Sequence, residues 1–265
     1  MLDFTIGLIS SFLISFIAYK KSSLNISGFL AATILGTAIY FFGGLWFFNI
    51  MIGFFISSSF LTKFKNTNKN NVNKLNEKGG KRDYIQVFVN GGIGLILAFL
   101  HYIYKEPIFL LAYSVSFGVA TSDTWASEIG VLSKNKPLSI LNLRTIERGM
   151  SGGISTLGTV FSFLGSAFIA IIFFIAYIAL YNDIRQGLTY FSICLILGFI
   201  GSIIDSILGA SIQAQYYCES TKSFTERKIH KNKPNRLVKG YYIVNNDAVN
   251  FASNLISTLI VFWLY

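Results

Sequence analysis

Three carboxylates in this sequence stand where a chain of its composition should have none. The stretch Ser116–Gly130, SFGVATSDTWASEIG, closes an apolar run with Asp123, Trp125 and Glu128 inside six positions. A second apolar run, GSIIDSILGASIQ, carries Asp205. An ionised carboxylate in hydrocarbon costs about 2.5–3.5 kcal/mol even on insertion scales, so such acids pair, line wet cavities or carry function. Asp123 and Asp205 read as oxygen ligands for a hard cation, Mg²⁺ above all, with Glu128 or Asp247 as second-site ligands. Asn90 and Asn250 would orient those carboxylates or a phosphate. Mg²⁺ commonly arrives with a nucleotide or diphosphate, and RGMSGGISTLGT, residues 148–159, suits such a partner. Its Gly149, Gly152 and Gly153 would let backbone approach phosphate at a helix N-terminus beside Ser155, or would serve close helix packing instead. Packing is the better account of Gly158 and Gly165 deeper in the same stretch. Arg82, Arg148 and Lys239, with Lys81 and Arg144 nearby, could neutralise phosphate oxygens. Such a set of groups would serve where a lipid-borne phosphate meets a water-soluble donor. Neither His101 nor His230 lies at the level of the acids, so no histidine base is expected. No Walker-type loop or dinucleotide fingerprint is present. Trp125 after Asp123 can be an interfacial anchor.

The elements that must hold these groups are set by composition. The chain has 265 residues, 53% hydrophobic and only 13% charged, about half the charged share of a soluble domain. Apolar blocks of membrane-spanning length recur, which makes this an all-α, polytopic transmembrane bundle. Eight spans are expected, near 2–19, 28–43, 45–62, 85–104, 107–122, 152–180, 188–215 and 247–264. Residues 1–265 then form a single integral membrane domain with cytoplasmic loops 63–84, 131–150 and 216–246. The first block has Asp3, no basic flank before it and no small-residue cleavage site after it, so it reads as a helix and not a signal peptide. Twenty of the 22 Lys and Arg fall in alternate connections, leaving only Lys105 and Arg185 opposite. The positive-inside rule therefore places both termini outside and the long loops in the cytoplasm. Topology also accounts for the net charge of +10, with no need of nucleic acid. The Asn- and Lys-rich stretch from Asn66 to Asn76 reads as a solvated loop, and Cys194 and Cys218 form no disulfide framework or zinc spacing.

Depth ties the polar groups together. Asp123 lies sixteen residues after Pro107 and Asp205 seventeen after Leu188, both on spans entering from outside. At about 1.5 Å per residue each travels about 25 Å, close to the cytoplasmic edge of a core about 30 Å thick. Spans running the other way carry polarity early: Gln86 and Asn90, Gly152 to Ser155, and Asp247, Asn250 and Asn254. Fourfold spacing aligns Gly201, Asp205, Gly209 and Gln213 on one helical face, as it does Gln86, Asn90 and Gly94, and Asn250, Asn254 and Thr258.

The segments SGFLAATILGTAIYFFGG, KRDYIQVFVNGG, ATSDTWASEIG, GMSGGISTLGT, GSIIDSILGASIQ and NNDAVNFAS resemble those of the DUF92, or transmembrane protein 19, family, to which plant phytyl-phosphate kinase belongs. ATSDTWASEIG and GSIIDSILGA at their relative spacing are the specific part of that likeness. The resemblance implies a membrane kinase that converts an isoprenyl or phytyl monophosphate to the diphosphate with a nucleoside triphosphate. A more distant similarity to CTP-using membrane lipid kinases and cytidylyltransferases makes CTP a candidate donor. Its partners would be an isoprenoid lipid phosphate and a nucleotide, met at the cytoplasmic face of the membrane. The rivals are a cytidylyltransferase making a CDP-lipid, a transporter and a non-catalytic scaffold. A transporter would set its acids near the midplane between inverted repeats.

Overall fold

The computed structural model describes residues 2–64, 80–230 and 232–265. The Asn- and Lys-rich stretch 66–76 lies outside them. Among the described residues seven helices dominate: α1 (Leu2–Lys20), α2 (Ile26–Lys63), α3 (Tyr84–Tyr104), α4 (Pro107–Gly130), α5 (Thr156–Tyr181), α6 (Ile184–Ser211) and α7 (Asn246–Leu264). All but α4 are long and apolar enough to cross a membrane. Their outward faces carry exposed Leu, Ile and Phe, such as Ile9, Leu13 and Ile17 on α1, as a lipid-facing surface should.

Helix α2 is two segments. Gly44 interrupts it at φ 72° and ψ −165°, a backbone state closed to most side chains. A straight helix would separate Gly36 from Met51 by about 22 Å, yet a Cβ on Gly36 would lie 3.3 Å from the Met51 Cε. Tyr40 and Phe48 also meet, at 5.4 Å between ring centroids. The chain therefore doubles back at Gly44, and 26–43 and 45–63 run antiparallel.

α4 explains why one helix falls short in hydropathy. It packs against α2, α3, α5, α6 and α7, and every residue from Leu110 to Ser122 is buried. Facing protein instead of lipid, it can carry hydroxyls, most of them satisfied, though the buried Ser116 Oγ has no partner among the described residues. Ser114 donates to the Leu110 carbonyl at 2.7 Å, Thr121 to Phe117 at 2.6 Å and Ser122 to Ser162 on α5 at 2.9 Å. The Tyr113 hydroxyl donates to the Phe47 carbonyl at 2.7 Å and ties α4 to the second half of α2.

Several boundaries differ from the sequence expectation for a capping reason. α5 starts at Thr156, not 152, because the Ser155 side chain accepts from the Gly158 amide and caps the helix. Gly152 thus sits in a turn ahead of the helix, and Gly153 begins a short strand. α6 ends at Ser211, so Gly201, Asp205 and Gly209 share its face while Gln213 lies beyond the C-cap. α4 runs on to Gly130, which puts Glu128 on the same helix as Asp123.

Short antiparallel strands lie in and beside two of the expected loops, 131–150 and 216–246. β1 (Leu138–Ser139) pairs with β2 (Gly153–Ile154). β3 (Gln215–Cys218) is flanked by β4 (Ser223–Thr225) and, after the small β5 (Ile229–His230) and β6 (Lys233–Pro234) hairpin, by β7 (Arg236–Lys239). This β-layer is three small sheets, of which β2 brings Gly153 and Ile154 to the cavity where the acids lie.

Candidate functional site

Asp205 sits on the buried face of α6, 8% exposed, and α7 holds it. Ser253 Oγ donates to its Oδ2 at 2.9 Å. With the Asn250 amide turned to match its neighbours, the amide nitrogen donates to the same oxygen at 3.0 Å and to the Asn246 carbonyl at 3.2 Å. The local sequence makes this possible, since Asn250 and Ser253 are one turn apart on α7 and face α6 together. Asp123, the first half-buried residue after the sealed stretch of α4, faces the same space.

That space is a cavity of about 290 Å³ between α4, α5 and α6. Asp123, Asp205 and Glu128 line it, and so do Gly149, Gly152, Gly153 and Ser155. Ser162, Ser202 and Ser206 add hydroxyls. The 149–155 stretch is a turn built on two left-handed glycines, Gly149 at φ 85° and Gly152 at φ 78°. It delivers the chain to the N-terminus of α5 at the cavity wall, where the helix dipole favours an anion. Carboxylates and an anion-favouring helix end thus line one cavity.

Other side chains are already engaged. Arg148 lines the cavity, but its Nη2 donates to the carbonyls of Ser133 at 2.7 Å and Lys134 at 2.8 Å. Glu128 accepts from Thr62 of α2 at 2.6 Å. Arg82 does not line this cavity: its guanidinium lies over the rings of Phe54 and Phe55, 5.4 and 5.8 Å away, and donates to Ser59 at 3.4 Å. Burial pushes the Arg82 guanidinium down to about 10, while the Glu128 charge acts in the opposite sense. Asn90 also lies elsewhere, beside Arg82 in a mainly apolar cleft between α1, α2 and α3, with its amide donating to the Gln86 carbonyl at 2.8 Å. Gln86 completes a capping box with Asp83 at the start of α3. Lys239, on β7 opposite Gln215, and Asp247, in the first turn of α7, are outside the cavity lining.

Two groups at the cavity were not singled out from the sequence, although one of them, Asn246, lies in the segment NNDAVNFAS. Glu226 comes from the loop after β4, where its Oε1 accepts from Gln213 at 2.8 Å and Ser151 at 3.2 Å. Beside Arg227 and Lys228 it reads in sequence as one more charge in a solvated run. Asn246, at the start of α7, also lines the cavity.

Among the described residues no three His, Cys, Asp or Glu side chains gather closely enough to hold a metal by themselves. Of the two carboxylates expected as second-site ligands, Glu128 lines the cavity with Asp123 and Asp205, and Asp247 does not. The donor chemistry that remains, two aspartates among hydroxyls, fits Mg²⁺, which is usually held by one or two carboxylates and completed by water and substrate phosphate.

A largely helical bundle of apolar helices with this cavity at one end defines an integral membrane protein. The chain belongs to the family described as integral membrane protein DUF92, which matches residues 9–258. It is 30% identical over 274 residues to Protein PGR of Arabidopsis thaliana, covering 96% of this chain and 93% of that protein. An uncharacterized membrane protein of Methanocaldococcus jannaschii is 30% identical over 192 residues, or 72% of this chain and 75% of its own length. Protein VTE6, chloroplastic, of Arabidopsis thaliana is 28% identical over 199 residues, covering 72% of this chain and 57% of that protein. No solved structure matches.

Proposed function

We propose that the chain is a membrane kinase that transfers the γ-phosphoryl group of a nucleoside triphosphate to an isoprenyl or phytyl monophosphate. The observation that carries this reading is the pairing of Asp123 and Asp205 with the Gly149–Gly153 turn and the α5 N-terminus around one cavity. The likeness to the phytyl-phosphate kinase family, read from the motifs on α4, α5 and α6, supports it. An oxygen of the acceptor monophosphate bonds to the γ-phosphorus as the bond from that phosphorus to the β–γ bridging oxygen breaks. The products are the isoprenyl diphosphate and the nucleoside diphosphate. The α5 N-terminus and the glycine turn hold phosphate oxygens, and Ser253 and Asn250 fix the Asp205 carboxylate. Asp123 and Asp205 would hold Mg²⁺, which would supply neutralisation of phosphate charge. The acceptor needs no deprotonation, so no side-chain base takes part. The lysine and arginine asymmetry supports a cytoplasmic position for this end of the bundle, within reach of nucleotide.

The test uses purified protein in nanodiscs with isoprenyl monophosphates and the four nucleoside triphosphates, labelled separately at the α- and γ-phosphates. Diphosphate carrying only the γ label is expected, and Asp123→Asn or Asp205→Asn should lower turnover by about 100-fold or more, the scale of losing a key electrostatic group. Transfer of the α label would make the chain a cytidylyltransferase. Wild-type turnover in either variant would refute the assigned roles.

A further inference from the structure

The cavity is not polar all round. On the side where α5 meets α6, its wall passes from Ser155, Thr159 and Ser206 to Ile203 and Phe199. Thr159 is exposed, and one turn further along α5 Phe163 is 46% exposed. The Phe163 and Phe199 rings meet edge to face at 5.8 Å. Phe199 precedes Asp205 by six residues, which places it roughly 9 Å further along α6 toward the bundle interior.

Behind this pair the seam is shut. The Ser162 and Ser202 hydroxyls bond to each other across it, and Ser166 Oγ donates to the Leu195 carbonyl at 2.7 Å. A ligand with one end at the aspartates cannot continue down the axis between α5 and α6. It can only turn outward across Phe199, onto a surface where Val160 and Ile207 are also exposed and apolar. A nucleobase would stack on one of the rings, but it gains little from the aliphatic continuation through Ile203, Val160 and Ile207. An amphiphile with an anionic head and a hydrocarbon chain matches both ends, with its head among the glycines and aspartates and its chain along the aromatic pair.

We infer that this lateral opening between α5 and α6 is the path and binding surface of the acceptor's isoprenoid chain, with Phe199, Ile203 and Phe163 in contact with it. The inference rests on the kinase reading for the identity of the head group, and it adds where the chain lies and which residues sense its length.

The experiment compares a five-carbon with a twenty-carbon isoprenyl monophosphate on the full-length protein in nanodiscs. Phe199→Trp should lower the ratio of kcat/KM for the long acceptor to that for the short one by roughly tenfold or more, the scale of an apolar specificity contact. Ile175→Trp, on the exposed face of α5 away from the cavity, should leave that ratio unchanged. An unchanged ratio in Phe199→Trp overturns the path and leaves the kinase reading standing. A wild-type protein that transfers no phosphate sinks the kinase reading, and a second arm then decides the path. In that arm a prenyl monophosphate with a photoreactive diazirine on its tail is cross-linked and the labelled peptides are identified. Label on the peptides containing Phe163 and Phe199 supports the path; label confined to the cleft between α1, α2 and α3 overturns it.

Discussion

Gly152→Ala tests whether the glycine turn is held in place by α6. Gly152 has φ +78°, and an added Cβ would lie 2.2 Å from the Ala210 Cβ, 2.6 Å from its Cα and 2.7 Å from its nitrogen. None of these atoms belongs to a flexible chain end, so the clash cannot be relieved by a rotamer change. The left-handed backbone costs about 1–2 kcal/mol for a residue with a Cβ, and overpacking of this kind about 1–3 kcal/mol. Relieving the clash instead means withdrawing the turn by about 1 Å, since ordinary contact begins near 3.4 Å. A misplacement of about 1 Å at a reacting centre can cost about 100-fold. The expected outcome is a lower melting temperature in detergent together with turnover reduced by about 10- to 100-fold in the labelled-nucleotide assay. The control is Gly209→Ala, opposite on α6, whose added Cβ meets nothing closer than 3.4 Å and should alter neither readout strongly. A Gly152→Ala protein with wild-type melting and turnover would refute the close packing of this turn on α6.

Ser253→Ala removes a buried donor from Asp205; a hydrogen bond to a charged group is worth about 1.5–3 kcal/mol, so turnover should fall, and Ser253→Ala with Asn250→Ala should fall further than either alone. No loss in the double variant would show that α7 does not orient the carboxylate. Hydrogen bonds from Ser220 and Thr221, with His230 also contributing, pull the Cys218 thiol down to about 6, and His230 Nδ1 lies 3.2 Å from its sulfur. Its alkylation rate should therefore rise with a midpoint near pH 6 and not near the ordinary value of about 8.5, as measured by mass spectrometry of the 218 peptide. Because the folded pKa is the lower one, the stability this thiolate contributes is full above the unfolded pKa and is lost as pH falls through about 6. In a background without native cysteines, an impermeant maleimide should label Tyr265→Cys in intact cells and Lys136→Cys only after permeabilisation; the reverse pattern would overturn the orientation.

Hydropathy carried the helices because lipid-facing apolar faces are continuous in sequence, and the boundary expected between 43 and 45 coincides with the break at Gly44. The β-layer was illegible because its strands are two to four residues long, too short for any period to register. The most instructive contrast is between Asn90 and Asn250. Both lie early in an inward-starting helix, both belong to a fourfold polar stripe, and by depth they are equivalent. Depth fixes a level along the bundle axis and says nothing about direction around it. α7 lies beside α6, so Asn250 reaches Asp205. Asn90 on α3 instead faces α1 and α2, and its amide turns back to its own helix at Gln86. Arg82 goes with it, into a cleft separate from the one lined by the aspartates. A ring of polar groups at one level is thus divided by the central helix α4 into two compartments. Asp123 and Asp205 fall in the same one because both α4 and α6 present their polar faces to the α5 N-terminus.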